Sequence, residues 1–361
     1  MMSSFGSLGK RNGSLRTIRW VSALALVLCV ACPAQQQGPT DNPPDGPDRV
    51  QEAFHTGAPW ARYAGPTQNF KATDHGLADE WPRGGPRQLW SRKLGPGFSG
   101  IVAQENRLYT MYRADPDEVV VCLDARTGET LWEHRYRSAP VEGHDSSYGD
   151  GPNSTPLLTN GRLYTIGVAG VLRCLDAETG ELGWSRDLWG EFGGTFLDFG
   201  YSSSPIPYQD TVIALVGGKD RGAVAFDKVD GGIVWKGLSF ENSYSTPTIM
   251  SILGEDHLVA FMATEVVGAD PNTGEPRWQY SIRNQYPQNI CLPLQVDGDM
   301  VFISTLEAGS RGLRVVKRDG YDVEEVWSSQ RFQCFYGSFV HLGNHVYGPS
   351  GYAAAPLVVA I

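Results

Sequence analysis

The chain has 361 residues, and its 43 Gly and 23 Pro against only 19% charged residues suit many short strands joined by turns. Its formal charge is −10, and residues 1–31 hold Lys10, Arg11, Arg16 and Arg19 with no acid, so removing those four positive charges takes −10 to −14. A body that acidic repels phosphate backbones, which excludes nucleic acid as a partner.

Met1–Ala31 reads as an export signal, with a basic stretch followed by the apolar run Val21–Ala31. About a dozen apolar residues are too few to span a hydrocarbon core, which needs roughly 20. The end of that run, Leu28-Cys29-Val30-Ala31-Cys32, resembles the bacterial lipobox and marks Cys32 for lipidation. Ordinary cleavage after Ala31 or Ala34, giving a soluble secreted protein, is the competing reading. Residues 32–59 are rich in Gln, Pro and Asp with little to bury, a disordered tether. Pro33 rather than an Asp follows the candidate Cys, which by resemblance to Gram-negative lipoproteins implies an anchor at the periplasmic face of the outer membrane.

Trp60–Trp81 has aromatic and Gly/Pro punctuation without a period, an irregular lead-in. From Arg87 onward one phrase recurs. VVVCLDARTGETLW (Val119–Trp132), VLRCLDAETGELGW (Val171–Trp184), AVAFDKVDGGIVW (Ala223–Trp235) and VVGADPNTGEPRW (Val266–Trp278) are good copies. Leu313–Trp327 and Leu357–Ile361 are worn ones, and Arg87–Leu94 is an orphan second half, expected as an outermost strand. The Trp residues at 90, 132, 184, 235, 278 and 327 are spaced by 42, 52, 51, 43 and 49 residues, a period suited to four-stranded propeller blades. Two blades can be read strand by strand: Ser99–Gln104, Leu108–Tyr112, Val119–Asp124 and Thr130–Arg135, then Thr155–Thr159, Leu163–Val168, Val171–Asp176 and Glu181–Asp187. No amphipathic helix appears after the leader, so the expected class is all-β.

The phrase has a physical reading. The Asp ends a strand and its carboxylate accepts N–H groups of the turn that follows (Asp124, Asp176, Asp227, Asp270). The Gly supplies a positive φ (Gly128, Gly180, Gly231, Gly274). The Trp on the outer strand fills the gap to the neighbouring blade (Trp132, Trp184, Trp235, Trp278, Trp327). These residues are expected to dock blade on blade.

With those residues in place, the repeat resembles that of the PQQ-like (pyrroloquinoline-quinone-like) β-propellers. That group includes quinoprotein alcohol dehydrogenases and the outer-membrane assembly lipoprotein BamB. The resemblance runs over residues 60–361, and the opening W-P-R-G-G-P-R-Q-L-W (Trp81–Trp90) is similar to that of many exported bacterial members. The resemblance implies a propeller, and the residues themselves show about six readable blades. The orphan Arg87–Leu94 can complete the last blade and close a ring of six; alternatively, family members commonly have seven or eight blades, and the stop in mid-phrase tips the reading toward a truncated propeller.

Short small-polar phrases precede each innermost strand and mark one mouth of the channel. Phe98, Ser99, Ser154, Thr155, Tyr201, Ser203, Tyr244, Ser245, Tyr336 and Ser338 are the mouth candidates, with Tyr148 as a further aromatic. Crowding at the axis is the competing reason for small residues there. Asp145 and Asp150, in the loop Gly143–Pro156, offer clustered oxygens for a cation but lack an EF-hand spacing, and Gly/Asp/Ser loops are usually turns. The resemblance implies, for quinone-dependent members, a catalytic Asp, a Ca²⁺ held by Glu, Asn and Asp, and in many an adjacent Cys pair. This chain has no Cys-Cys and no position matching those ligands. Cys122 and Cys174 read as small buried hydrophobes; Cys291 and Cys334 leave a disulfide open. The expectation is therefore a non-catalytic binding or scaffold module of the cell envelope, with no catalytic residue, metal or cofactor, recognising protein, peptide or glycan. The alternative is a quinoprotein dehydrogenase using pyrroloquinoline quinone with Ca²⁺.

Overall fold

The protein is described by a computed structural model covering residues 58–72, 78, 80–139, 142–195, 197–284, 286, 288–351 and 357–360. The expected leader, Cys32 and nearly all of the tether lie outside the described residues.

Among the described residues twenty-three strands form six antiparallel sheets in chain order, five of four strands and one of three. Blade 1 is β1 (Val102–Gln104), β2 (Arg107–Ala114), β3 (Asp117–Asp124) and β4 (Thr130–Arg137). Blade 2 is β5 (Leu157–Thr159), β6 (Arg162–Ile166), β7 (Val171–Asp176) and β8 (Leu182–Asp187). Blade 3 is β9 (Ile206–Tyr208), β10 (Thr211–Leu215), β11 (Ala223–Asp227) and β12 (Ile233–Gly237). Blade 4 is β13 (Thr248–Ile252), β14 (Glu255–Phe261), β15 (Glu265–Ala269) and β16 (Pro276–Ser281). Blade 5 is β17 (Leu294–Asp297), β18 (Met300–Thr305), β19 (Gly309–Lys317) and β20 (Tyr321–Ser329). Blade 6 is β21 (Val340–Leu342), β22 (His345–Ser350) and β23 (Leu357–Ala360). A single 3-10 turn, Ser146–Tyr148, is the helical content among the described residues. The all-β propeller expected from the repeat is the fold observed.

Middle strands such as β11 are buried along almost their whole length, because both faces of that sheet meet a neighbouring blade. Outer strands such as β4 alternate between half-buried and exposed, as a sheet edge in water should. Five buried apolar clusters sit one at each seam from blade 1/2 to blade 5/6.

The phrase works as a docking joint. Trp132, Trp184 and Trp235 donate their indole N–H to the carbonyls of Ala177, Lys228 and Pro271 at 3.1, 3.3 and 3.0 Å, each just after the Asp of the following blade. The rings lie on the following blade's Gly. Gly180, Gly231 and Gly274 hold φ between 71° and 75°, and a Cβ there would meet Trp132, Trp184 and Trp235 at 2.5, 2.6 and 2.4 Å. Only Gly satisfies both demands. Asp176 Oδ1 accepts the N–H groups of Glu178 and Thr179, both at 2.9 Å, and the Thr179 bond leads in holding the carboxyl below its usual range. On its own blade each Trp pairs with a small residue at a β-bulge: Cys122, Cys174, Ala225, Gly268 and Gly312. Cys122 and Cys174 fill that slot as buried free thiols.

Two findings depart from the sequence reading. Arg87–Leu94 forms no strand, because among the described residues no backbone pairs with it. Its side chains nevertheless repeat the joint: Trp90 Nε1 donates to Ala125 O at 2.9 Å and Arg92 Nη1 to Gly128 O at 2.8 Å. The lead-in is irregular as expected, but it occupies the channel. Its turns are tight, with Ala64, Gly65, Gln68 and Phe70 at positive φ. Trp60 O accepts from Ala103 N at 2.8 Å, Ala61 O from Leu158 N at 2.7 Å, and Gln68 Nε2 donates to Pro247 O at 3.1 Å. Tyr63, raised in pKa first by burial, bonds Ser338. A segment that meets blades 1, 2, 4 and 6 together lies across the axis.

A candidate binding cavity at the channel mouth

Antiparallel strands reverse at each step, so the β1–β2 type hairpins and the Asp-to-Gly turns share one end of every blade. The chain approaches each innermost strand from the other end. There the approaches converge on a cavity of 410 Å³ lined by Phe98, Tyr148, Gly149, Asn153, Phe199, Ser202, Tyr244, Gln288, Ile290 and Tyr336. These positions precede β1, β5, β9, β13, β17 and β21, so the approach to every blade contributes.

The rings meet at steep angles. Tyr148 stands edge-on to Phe199 with centroids 5.1 Å apart and planes at 77°, Phe199 lies 6.0 Å from Tyr244 at 45°, and Tyr148 lies 6.4 Å from Tyr336 at 55°. The loop that carries Tyr148 is shaped by its two carboxylates. Asp145 Oδ1 accepts from Ser147 N at 2.8 Å and caps the 3-10 turn, while Asp150 accepts the Ser146 hydroxyl and stands 3.5 Å from buried His144 Nε2. Asp145 N then donates to Asp198 O at 2.7 Å, tying this loop to the one that carries Phe199. Tyr244 accepts Phe199 N–H at 3.3 Å; burial first, then the carboxylates of Asp198 and Asp145, push its phenol up to about 12.

Of the expected mouth residues, Phe98, Tyr244 and Tyr336 line the cavity, as does Tyr148. The others lie elsewhere. Tyr201 is fully buried in the blade 2/3 core and donates to Leu215 O at 2.7 Å. Ser154, Thr155, Ser203 and Ser245 are buried, and the tight approach of the blades makes Thr155 and Ser245, with Ser204 and Thr246, into cross-links. Thr155 Oγ1 accepts from Gly100 N at 3.1 Å, Ser204 Oγ from Thr155 N at 2.9 Å and Thr246 Oγ1 from Ser204 N at 3.0 Å, and Ser245 Oγ donates to Cys291 O at 2.8 Å. Ser154 Oγ donates to Ile166 O on its own blade. Ser99 Oγ lies 3.3 Å from Gly100 O, and Ser338 serves Tyr63. Sequence reasoning missed Phe199, Gln288 and Ile290. The blade 5 approach, Gln288-Asn289-Ile290-Cys291, lacks the Ser/Thr phrase, and buried Asn289 takes its place by donating to Met262 O at 2.7 Å.

Cys291 and Cys334 are buried free thiols beside one another, and Cys291 Sγ donates to Cys334 O at 3.4 Å. The hydrogen bond with Cys334, and then burial, push the Cys291 thiol up.

Pyrroloquinoline quinone carries three carboxylates and is held through a cation, so it asks for positive charge and oxygen donors. Among the described residues the cavity lining contains no Lys, Arg, Asp or Glu, and the carboxylates in the loops around it, Asp145, Asp150 and Asp198, would repel an anion. Among the described residues no three His, Cys, Asp or Glu side chains come together as a metal site. The residues at the mouth do not fit the quinone.

A propeller with Asp-Gly-Trp joints, one plugged end and one open aromatic mouth defines the class. The family model described as outer membrane protein assembly factor BamB matches residues 82–164 and 116–355, and the chain belongs to that family. It is similar to the quinohemoprotein alcohol dehydrogenase ADH-IIG of Pseudomonas putida, 27% identical over 130 residues that span 35% of this chain and 18% of that protein. Among solved structures, BamB from Moraxella catarrhalis is 18% identical with a TM-score of 0.49, covering 70% of this chain and 68% of that one. The quinohemoprotein alcohol dehydrogenase from Comamonas testosteroni is 17% identical with a TM-score of 0.43, covering 61% and 40%.

Proposed function

We propose that the protein is a non-catalytic recognition module of the cell envelope that binds its ligand or partner at the channel mouth and the loops around it. In this reading residues 1–31 export the chain, Cys32 carries a lipid anchor to the periplasmic face of the outer membrane, and 32–59 tether the propeller. Protein, peptide or glycan is the class of partner. The observation that carries the reading is the cavity: six blade approaches place aromatic and neutral side chains around one space, with no titratable acid or base among them apart from the tyrosines. Aromatic surface on rigidly held loops suits recognition.

A photoreactive residue placed at Phe98, in the mouth, and another at Leu182, on an outer strand, test it in the full chain within envelope preparations. A discrete, saturable cross-link from position 98 that position 182 does not give is expected. Turnover of an alcohol by the protein supplied with pyrroloquinoline quinone and Ca²⁺ would overturn the non-catalytic reading.

A further inference from the structure

The walls of the cavity narrow the chemistry of what enters it. Five rings, Phe98, Tyr148, Phe199, Tyr244 and Tyr336, surround it, and those in mutual contact meet at 45° to 77° rather than forming a flat slot. Aromatic rings present negative quadrupole faces, and rings set at steep angles around a small space attract a cation from several sides. Among the described residues no Lys or Arg lines the cavity to compete for those faces. Asp145 and Asp198, joined through the Asp145 N to Asp198 O bond, add negative potential, which the Tyr244 phenol registers.

The kind of cation follows from the scarcity of acceptors. An ammonium or guanidinium group carries N–H donors that must be satisfied once water is stripped away. Here no carboxylate among the described residues lines the cavity, the Tyr244 oxygen already accepts Phe199 N–H, and Asn153, whose Nδ2 donates to Phe199 O at 3.0 Å, offers Oδ1 as its one side-chain acceptor. Ser202 and Gln288 are the other polar side chains apart from the tyrosines. A quaternary ammonium has no N–H to satisfy, and 410 Å³ admits a trimethylammonium head with the start of its chain.

We propose that the mouth cavity is an aromatic cage for a quaternary ammonium group, an assignment that rests on the mouth being the recognition site. The group reaches it either on a free small molecule or as a phosphocholine lipid headgroup.

Calorimetric titration of the full chain with choline, and with its neutral isostere 3,3-dimethylbutan-1-ol, reads the charge directly. Choline is expected to bind saturably and at least about tenfold more tightly, 1.4 kcal/mol. Tyr148→Leu should abolish that preference and Tyr148→Phe retain it, with unfolding midpoints of both variants confirming the fold. Asp198→Asn should weaken choline while leaving the isostere unchanged. Retention on phosphatidylcholine vesicles that free choline displaces identifies the lipid source; choline binding without vesicle retention identifies the soluble one. Equal affinity for choline and isostere overturns the cage and leaves the mouth a binding site. No binding of either, with the cross-link from position 98 intact, also overturns the cage alone. No binding and no cross-link overturn both.

Discussion

At the turn end of blades 1 to 4 one contact is made four times: an indole on a glycine, its N–H on the carbonyl that follows an aspartate. At the mouth end the six approaches deliver five different sets of side chains to the cavity, only blades 4 and 6 alike in bringing one Tyr each (Tyr244 and Tyr336). Repetition at the turn end is what stacking identical wedges requires, because each blade buries its face only against its neighbour. Variation at the mouth is free to serve a ligand, because packing does not constrain it. The two ends should therefore fail differently when altered.

The largest effect is expected from Trp235→Ala, since Trp235 is buried and fills the blade 3/4 seam. A loss of about 4 kcal/mol in denaturant unfolding is expected. Gly231→Ala should follow at about 3 kcal/mol, combining a left-handed backbone with a Cβ 2.6 Å from the Trp184 ring. Gly161→Ala sharpens the comparison. Gly161 has almost the same φ, 70°, but nothing within 4 Å of a Cβ, so about 1 kcal/mol is expected. Equal losses at the two glycines would mean that the indole contact contributes nothing.

The blade 4/5 seam breaks the rule within the turn end itself. Blade 5 offers no Asp-x-x-Thr-Gly turn, and Trp278 donates instead to His257 Nδ1 at 3.2 Å, with His257 edge-on to Tyr321 at 4.9 Å. Burial first, then Arg277, push the imidazole down to about 4. Its folded pKa lies below the unfolded value of about 6.5, so the unfolded chain takes up the proton first as pH falls. Stability is full above about pH 6.5, declines as pH falls toward 4, and has no further slope from this group below that. His257→Asn should flatten that interval in urea unfolding measured across pH, whereas an unchanged slope would assign it to other groups.

Legibility in the sequence follows the same division. The Asp, Gly and Trp of each joint stand at fixed offsets, so the fold and even the small slots filled by Cys122 and Cys174 could be read from spacing. The plug could not, because Trp60, Ala61, Tyr63 and Gln68 each meet a different blade and repeat nothing. Of the serines and threonines before the innermost strands, Ser202 lines the cavity while Thr155, Ser204 and Thr246 face one another's backbones, a choice of side-chain direction that composition does not encode. Phe199 and Ile290 sit in approaches of unequal length, where no period predicts position.

The smallest effect on stability, and the largest on recognition, belongs to the mouth. Tyr148 and Tyr336 are 51% and 44% exposed, so neither anchors a core, and Tyr148→Ala with Tyr336→Ala should shift unfolding by only about 0.5 kcal/mol each. The same pair removes two walls of the cavity while Tyr244, held by the Phe199 N–H, stays in place. If the mouth is where a ligand is recognised, binding should collapse in a protein whose unfolding curve is nearly unchanged. A double variant that instead unfolds several kcal/mol more easily would make the aromatic ring a keystone of the propeller, and the division between a structural end and a recognition end would fall with it.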